Sequence, residues 1–117
     1  METGRWAEQR ALDLLKTRGW TVIDRNWRCR WGELDLVLHK GDLLLVVEVK
    51  GRAEGYRDRH GLDAFHRRKR RRLASAIDCW RAVHPEFAGK LLRVVLALVP
   101  VLRSNRPVIW MDVEQLC

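Results

Sequence analysis

The sequence lacks the features that mark membrane-spanning, secreted and zinc-binding proteins. No apolar run approaches the roughly 18 residues needed to cross a bilayer, and the N-terminal METGRWAEQR is charged and polar rather than signal-like. The 3 cysteines, Cys29, Cys79 and Cys117, are odd in number, far apart in the sequence, and without the paired Cys or His spacing of a zinc site. We therefore expect a cytoplasmic protein with reduced thiols and no membrane partner.

Repeats, low-complexity tracts and linkers are also absent, which favours one domain over residues 1–117. Acidic residues are scarce beside basic ones, 15 against 23, and the formal charge is +8. An excess of this size favours a polyanionic partner, with nucleic acid as the first candidate. The alternative is a domain whose basic charge only reflects an arginine-rich genome.

The hydrophobic periodicity predicts an alternation of helices and strands. The elements are a helix over 4–18, strands over 20–27, 32–39 and 43–50, a helix over 62–83, and strands over 91–99 and 107–113. Thr3 is a candidate N-cap and Gly19 a stop for the first helix, while 51–61 is expected to be a surface loop. The order α-β-β-β-α-β-β predicts an α/β fold with helices packed on a mixed sheet.

Polar side chains interrupt two apolar strands between Gly32 and Lys50. Because side chains alternate along a strand, Glu48 and Lys50 share a face. A hairpin with the four-residue turn Lys40–Leu43 would place Asp35 directly opposite Glu48, whereas an odd turn length or a bulge would separate them. Any even length keeps these three side chains on one face.

Two neighbouring carboxylates in an apolar strand pair need a compensating cation. Either Glu48 and Lys50 form an ion pair at the strand end, or Asp35 and Glu48 hold an ion. Oxygen ligands suit a hard ion such as Mg²⁺ or Mn²⁺, and Lys50 could then orient a water or neutralise a developing oxyanion. Glu33 lies on the same face one position out, as an auxiliary acid or a rim residue.

Charged residues on both helices are candidates for the same site. Glu8 shares a column with Leu12, so it either turns toward the sheet or is a solvated first-turn acid. The cations from Arg67 to Arg72 are mostly expected at the solvent side, but Lys69 falls on the inward stripe. The stripe consists of Leu62, Phe65, Leu73, Ala76, Ile77 and Trp80. The cations expected to contact phosphates are Arg25, Arg28, Arg52, Arg68, Lys69 and Arg72.

The spacing of Asp35, twelve residues, then Glu48-Val49-Lys50 resembles the PD-(D/E)xK nuclease signature. Further motifs resemble the bacterial YraN-like family, a largely uncharacterised group thought to be related to archaeal Holliday junction resolvases. They are Gly4 with Glu8, Arg25-Asn26-Trp27-Arg28, Gly32-Glu33-Leu34-Asp35-Leu36-Val37, Val47-Glu48-Val49-Lys50 with Arg52, and Arg68-Lys69 with Arg71, Arg72 and Leu73.

The resemblance implies a restriction-endonuclease-like fold and a set of site residues. Asp35 and Glu48 would be metal ligands, the Val49 carbonyl a further ligand, and Lys50 catalytic, while Glu8 would approach the metal from the first helix. One position departs from the family. Where members often have Arg-Phe-Asp, this chain has Arg93-Val94-Val95, so an expected acid is missing. If that acid is catalytic, activity would be lost; if it is structural, little changes.

Three functions are compatible with these patterns. The first is a Mg²⁺- or Mn²⁺-dependent endonuclease acting on branched or structured DNA, for which symmetric cutting would favour a homodimer. The second is a nucleic-acid-binding module that has lost turnover and serves a repair or recombination complex. The third is a basic protein-interaction domain without nucleic acid. Trp6, Trp27 and Trp31 are either stacking residues for exposed bases or packing residues.

Overall fold

The structure, a computed structural model, describes residues 2–52, 67–100 and 106–113, with no side-chain description for residues 2, 3 and 52. Its elements are α1 (Glu2–Thr17), β1 (Thr21–Cys29), β2 (Gly32–Lys40), β3 (Leu43–Arg52), α2 (Arg67–Ala82), a 3₁₀ helix (Pro85–Phe87), β4 (Leu91–Pro100) and β5 (Ile109–Asp112). The predicted order of helices and strands and the α/β class are confirmed. Within these residues no helix is both long and apolar enough to span a membrane.

Helix α1 packs its small and aliphatic residues on the sheet and ends where predicted. Ala7, Ala11 and Leu12 are buried. The amide of Gly19 donates to the Lys16 carbonyl and that of Trp20 to the Leu15 carbonyl, with Gly19 at φ 91°. This is a Schellman ending, which requires a left-handed residue and therefore favours glycine. The predicted N-cap at Thr3 is wrong, because the helix already includes Glu2.

The strands form one sheet in the order β1-β2-β3-β4-β5, in which β3 and β4 are parallel and the other neighbours antiparallel. In the β2–β3 hairpin Lys40 pairs with Leu43 and Leu36 with Val47. This confirms the even turn, and the paired register ends one position before Asp35 and Glu48. Gly51 and Arg52 belong to β3 rather than to the expected loop, whose other residues lie outside the described part.

The core lies on both faces of the sheet, as the apolar run in β3 predicted. The α1 face is formed by Leu36, Leu38, Leu45, Val47, Val95, Ala97 and Val99. The α2 face is formed by Val37, Leu44, Val46, Val94, Leu96 and Leu98. Glu48 follows Leu44 and Val46 in the alternation, so its side chain belongs to the α2 face.

Helix α2 covers that second face with the C-terminal part of its predicted stripe. Leu73, Ala76, Ile77 and Trp80 are buried, and the Trp80 indole Nε1 donates to Asp24 Oδ2 at 2.7 Å. This bond ties the helix to β1 and satisfies the buried indole. The predicted first turns, with Leu62 and Phe65, lie outside the described residues.

The free thiols Cys29 and Cys79 meet between β1 and α2. Burial, followed by a hydrogen bond with Cys29, raises the pKa of the Cys79 thiol. Their separation in the sequence gave no sign of this contact. Cys117 lies beyond the described residues.

Candidate functional site

The carboxyl groups of Asp35 and Glu48 are held by backbone amides of the opposite strand. The Asp35 N–H donates to Glu48 Oε2 at 3.2 Å, and the Val49 N–H donates to Asp35 Oδ2 at 2.8 Å. The backbones of β2 and β3 are paired from Lys40 and Leu43 as far as Leu36 and Val47, and beyond that pair the side chains bridge the strands. The two carboxyl groups are therefore fixed beside each other at the end of the hairpin.

Both carboxyl groups are poorly solvated, which makes their ionised forms costly. Burial, followed by the charge of Asp35, raises the pKa of Glu48 to about 8, and only 9% of this residue is exposed. Burial raises the pKa of Asp35 to about 6, against the hydrogen bond from Val49, and the charges of Glu8 and Glu33 add to the rise. A cation between these groups would relieve both the desolvation and the repulsion.

The donor set fits a hard divalent ion that keeps most of its waters. Mg²⁺ is commonly bound through one or two carboxylates plus substrate phosphates, and not by a cage of protein ligands alone. Asp35 and Glu48 supply two carboxylates, and Val49, which also lines the site, can supply a carbonyl. In the described part of the chain, no group of three or more His, Cys, Asp or Glu residues is arranged to hold a metal. A divalent ion at this position would therefore take its remaining ligands from water or from substrate.

A cavity of about 590 Å³ lies between the ends of β2 and β3 and the first turns of α2. Its volume is within the range of small-ligand sites, so it can take a nucleotide-sized group. It is lined by Gly32, Glu33, Asp35, Glu48, Val49, Arg68, Lys69, Arg72 and Leu73. The carboxyl pair thus faces a wall of helix cations across an open space.

Three cations of α2 line the site, whereas helix spacing had placed only Lys69 on the inward side. Arg68, Lys69 and Arg72 are exposed yet line the cavity, because positions separated by three or four residues share a helix side. The charge of Lys69 lowers the pKa values of both Asp35 and Glu48. Lys69, which was expected to reach the sheet edge or the substrate, lines the same cavity as Asp35 and Glu48.

Two other predicted site residues lie at the margin. Lys50 is half-buried and has the same strand parity as Glu48, but the described cavity lining does not include it. Glu8 is half-buried on α1, where its charge raises the pKa of Asp35. Glu8 is thus near enough for its charge to act on Asp35, although the described cavity lining does not include it. The charge of Lys69 acts on both carboxyl groups.

The predicted arginines of β1 are divided between two surfaces. Arg28 Nε pairs with Glu33 at 2.9 Å, so Glu33 is a rim residue of the cavity and brings Arg28 to its edge. Arg25 Nη1 instead donates to Gln9 Oε1 at 3.2 Å on the α1 side. Arg52 closes β3, and its side chain lies outside the description.

The acid that family members often have at the position of Val95 would not lie in this cavity. Val95 pairs with Val47 and packs in the α1-face cluster, whereas Glu48 pairs with Leu96 and faces α2. A side chain at position 95 therefore projects from the opposite face of the sheet. What sequence reasoning missed is Gly32, whose added Cβ would meet the Arg72 carbonyl oxygen at 3.7 Å. Its signal in the sequence is its place at the start of the motif Gly32-Glu33-Leu34-Asp35-Leu36-Val37.

Comparison with known proteins gives a consistent match. The model of "Uncharacterised protein family UPF0102" matches residues 7–99. A UPF0102 protein of Synechococcus sp. strain CC9902 is 58% identical over 97% of this chain and 93% of its own length. One of Prochlorococcus marinus strain MIT 9303 is 50% identical over 97% and 90%, and one of Renibacterium salmoninarum is 37% identical over 86% and 85%. The family expected from the motifs is confirmed.

Proposed function

The chain belongs to the uncharacterised protein family UPF0102, and on that premise we propose that it is a metal-dependent endonuclease that hydrolyses phosphodiester bonds in branched or otherwise structured DNA. The observation that carries the proposal is the carboxyl pair of Asp35 and Glu48, locked by opposite-strand amides and facing cations across a cavity. A carboxyl pair that served only the fold would not need a cavity of this size beside it.

Asp35, Glu48 and the Val49 carbonyl are the groups that would hold Mg²⁺ or Mn²⁺. When bound there, such an ion supplies Lewis acidity toward the phosphodiester and lowers the pKa of bound water. The hydrogen bonds donated by the backbone amides of Asp35 and Val49 fix the two carboxyl groups before any substrate arrives. This preorganisation reduces the rearrangement that binding requires.

The helix cations would hold the substrate against the carboxyl pair. Arg68 and Arg72 line the cavity wall and can each contact phosphate oxygens. Lys69 stands close enough to both carboxyl groups to stabilise their ionised forms. Lys50, on the strand of Glu48, is the group that would orient the attacking water or neutralise the oxyanion. The formal charge of +8 supplies long-range attraction to a nucleic acid.

Cleavage of labelled four-way junction, flap and linear duplex DNA tests this proposal, with Mg²⁺, Mn²⁺ or chelator present. Asp35→Asn and Glu48→Gln should lower the cleavage rate at least about 100-fold, because each removes a charged group from the site. Asp42→Asn is the matched control, since Asp42 is exposed in the turn at the other end of the same hairpin. It should cleave like the parent.

Two results would contradict the proposal. If Asp35→Asn and Glu48→Gln cleave as fast as the parent, any activity comes from elsewhere or from a contaminant. If no variant cleaves but all bind DNA with a steep salt dependence, the protein is a binding module without turnover.

A further inference from the structure

The turn between β1 and β2 carries two large side chains, and the residue that follows it lines the cavity. Cys29 pairs with Gly32, so Arg30 and Trp31 alone form the loop. Gly32 lines the cavity, and an added Cβ there would lie 3.7 Å from the Arg72 carbonyl oxygen. The loop therefore continues directly into the part of the chain that lines the cavity.

The composition of this loop is not explained by the fold. Two-residue hairpin loops favour small residues such as Asn, Asp and Gly. Trp31 nevertheless leaves 53% of its surface exposed, and the Arg30 guanidinium lies 4.8 Å from the centroid of its ring. Among the described residues Arg30 forms no ion pair. An exposed indole beside a cation remains available to a ligand.

Trp6 provides a useful contrast, because it is also exposed and lies near an arginine. It is 44% exposed, and the Arg10 guanidinium is 5.7 Å from its ring centroid. However, Arg10 donates to the carbonyls of Pro100 at 3.2 Å and Arg106 at 2.7 Å, so it serves the fold. Trp6 lies on α1, and the described cavity lining includes none of its neighbours in the sequence.

An indole paired with a guanidinium suits a nucleobase and its phosphate. Aromatic side chains stack on bases of any sequence, and arginine contributes through its charge and its planar face. In an intact duplex each base is covered by its neighbours, so an indole can reach only an unpaired, terminal or extruded base. A ligand at this loop therefore has to contain such a base.

We propose that Trp31 and Arg30 form a stacking site for an unpaired base of the DNA substrate; the proposal rests on the nuclease function proposed above. Trp31 precedes Asp35 by four positions, which is about 13 Å along a strand. Because a stacked DNA strand advances about 3.4 Å per nucleotide, the unpaired base lies within roughly four nucleotides of the attacked phosphate. The preferred substrate is thus a duplex interrupted by unpaired bases close to the cut.

The test measures equilibrium binding by fluorescence anisotropy in chelator, where cleavage does not interfere. Two labelled duplexes of equal length are compared, one fully paired and one with a three-nucleotide bulge. The parent should prefer the bulged duplex, and Trp31→Ala should lower that preference about tenfold or more, in line with the loss of one stacked base. Trp31→Phe should retain most of it. Trp6→Ala is the matched control and should retain all of it.

The bases themselves are tested by replacing those of the bulge with abasic sites, which should abolish the preference in the parent. A preference that survives in Trp31→Ala, or on the abasic bulge, overturns the stacking site. Equal binding of both duplexes by the parent overturns it too, while leaving cleavage dependent on Asp35 and Glu48 intact. A parent that binds neither duplex overturns both proposals.

Discussion

The Val49 amide lies 2.8 Å from Asp35 Oδ2 and donates to it, so a carboxylate takes the place of a backbone acceptor between two strands. The reciprocal bond from the Asp35 amide to Glu48 completes an exchange in which each strand holds the other's acid. Hydrogen bonds from amides favour ionised carboxylates, whereas burial opposes ionisation. At this site burial dominates, because the pKa values of both acids are raised.

The metal-free protein should become less stable as the pH rises from about 4 to about 8. In the unfolded chain these acids titrate near pH 4, whereas folding raises the pKa of Asp35 to about 6 and of Glu48 to about 8. The folded state therefore binds more protons within this window, and the free energy of unfolding falls as they are released. Urea unfolding at pH 5, 6.5 and 8 measures the decline, which should be on the order of a few kcal/mol.

Glu48→Gln should flatten that pH profile, since the glutamine has no proton to release. At pH 8 the metal-free variant should be more stable than the parent, because a desolvated charge has been removed. Asp42→Asn should follow the parent at every pH. A Glu48→Gln profile that declines as steeply as the parent's would show that another group is responsible.

Mg²⁺ or Mn²⁺ should raise the midpoint of thermal unfolding at pH 8 and have little effect at pH 5. Carboxylate ligands must lose their protons before they bind, so the metal competes with protons for Asp35 and Glu48. At saturation about 100 times above Kd the stabilisation is about 2.7 kcal/mol, which corresponds to several degrees for a domain of this size. Differential scanning fluorimetry of chelator-treated protein provides the measurement.

Variants of the carboxyl pair identify where that ion binds. Asp35→Asn should lose most of the thermal shift at pH 8, whereas Asp42→Asn should keep it. An equal shift in Asp35→Asn and the parent would place the ion elsewhere.

The hairpin geometry was predictable because alternation and a turn signal are local properties. Gly41, at φ 55°, and Asp42 form a tight turn, and once its length is even the partner of Asp35 follows from counting. The same reasoning placed Lys69 on the inward side of its helix. These inferences needed only the periodicity of single elements.

Distances between elements could not be predicted in the same way. Parity placed Lys50 on the face of Glu48. It could not predict how near Lys50 or Lys69 comes to the carboxyl pair, because that distance depends on how α2 crosses the sheet. Two further features could not be predicted for the same reason. They are the contact between Cys79 and Cys29 and the side of the sheet on which Val95 packs. Each depends on packing between elements that are distant in the sequence.

Substitutions of the two lysines should separate metal binding from catalysis. Lys69→Met removes a charge that lowers the pKa values of Asp35 and Glu48, so the pH at which the metal binds should move upward. Lys50→Met should leave that pH unchanged and lower the single-turnover cleavage rate roughly 100-fold, as expected for a proton-transfer or water-positioning group. Metal titrations at several pH values and single-turnover assays provide the two measurements. A Lys50→Met variant that cleaves at the parental rate would exclude the predicted catalytic role.

Adjacent arginines of α2 should differ in their contribution to DNA binding. Arg72 lines the cavity, whereas Arg71 is exposed on the same helix and is absent from the described lining. Removing a phosphate contact reduces the slope of log affinity against log salt by about one and weakens binding to all sequences alike. Arg72→Ala and Arg68→Ala should each show this reduction in anisotropy titrations at several salt concentrations. Arg71→Ala carries the same loss of formal charge, so it controls for long-range attraction, and its slope should change less. Equal slopes for Arg71→Ala and Arg72→Ala would mean that the charge of the helix, and not the cavity, binds the DNA.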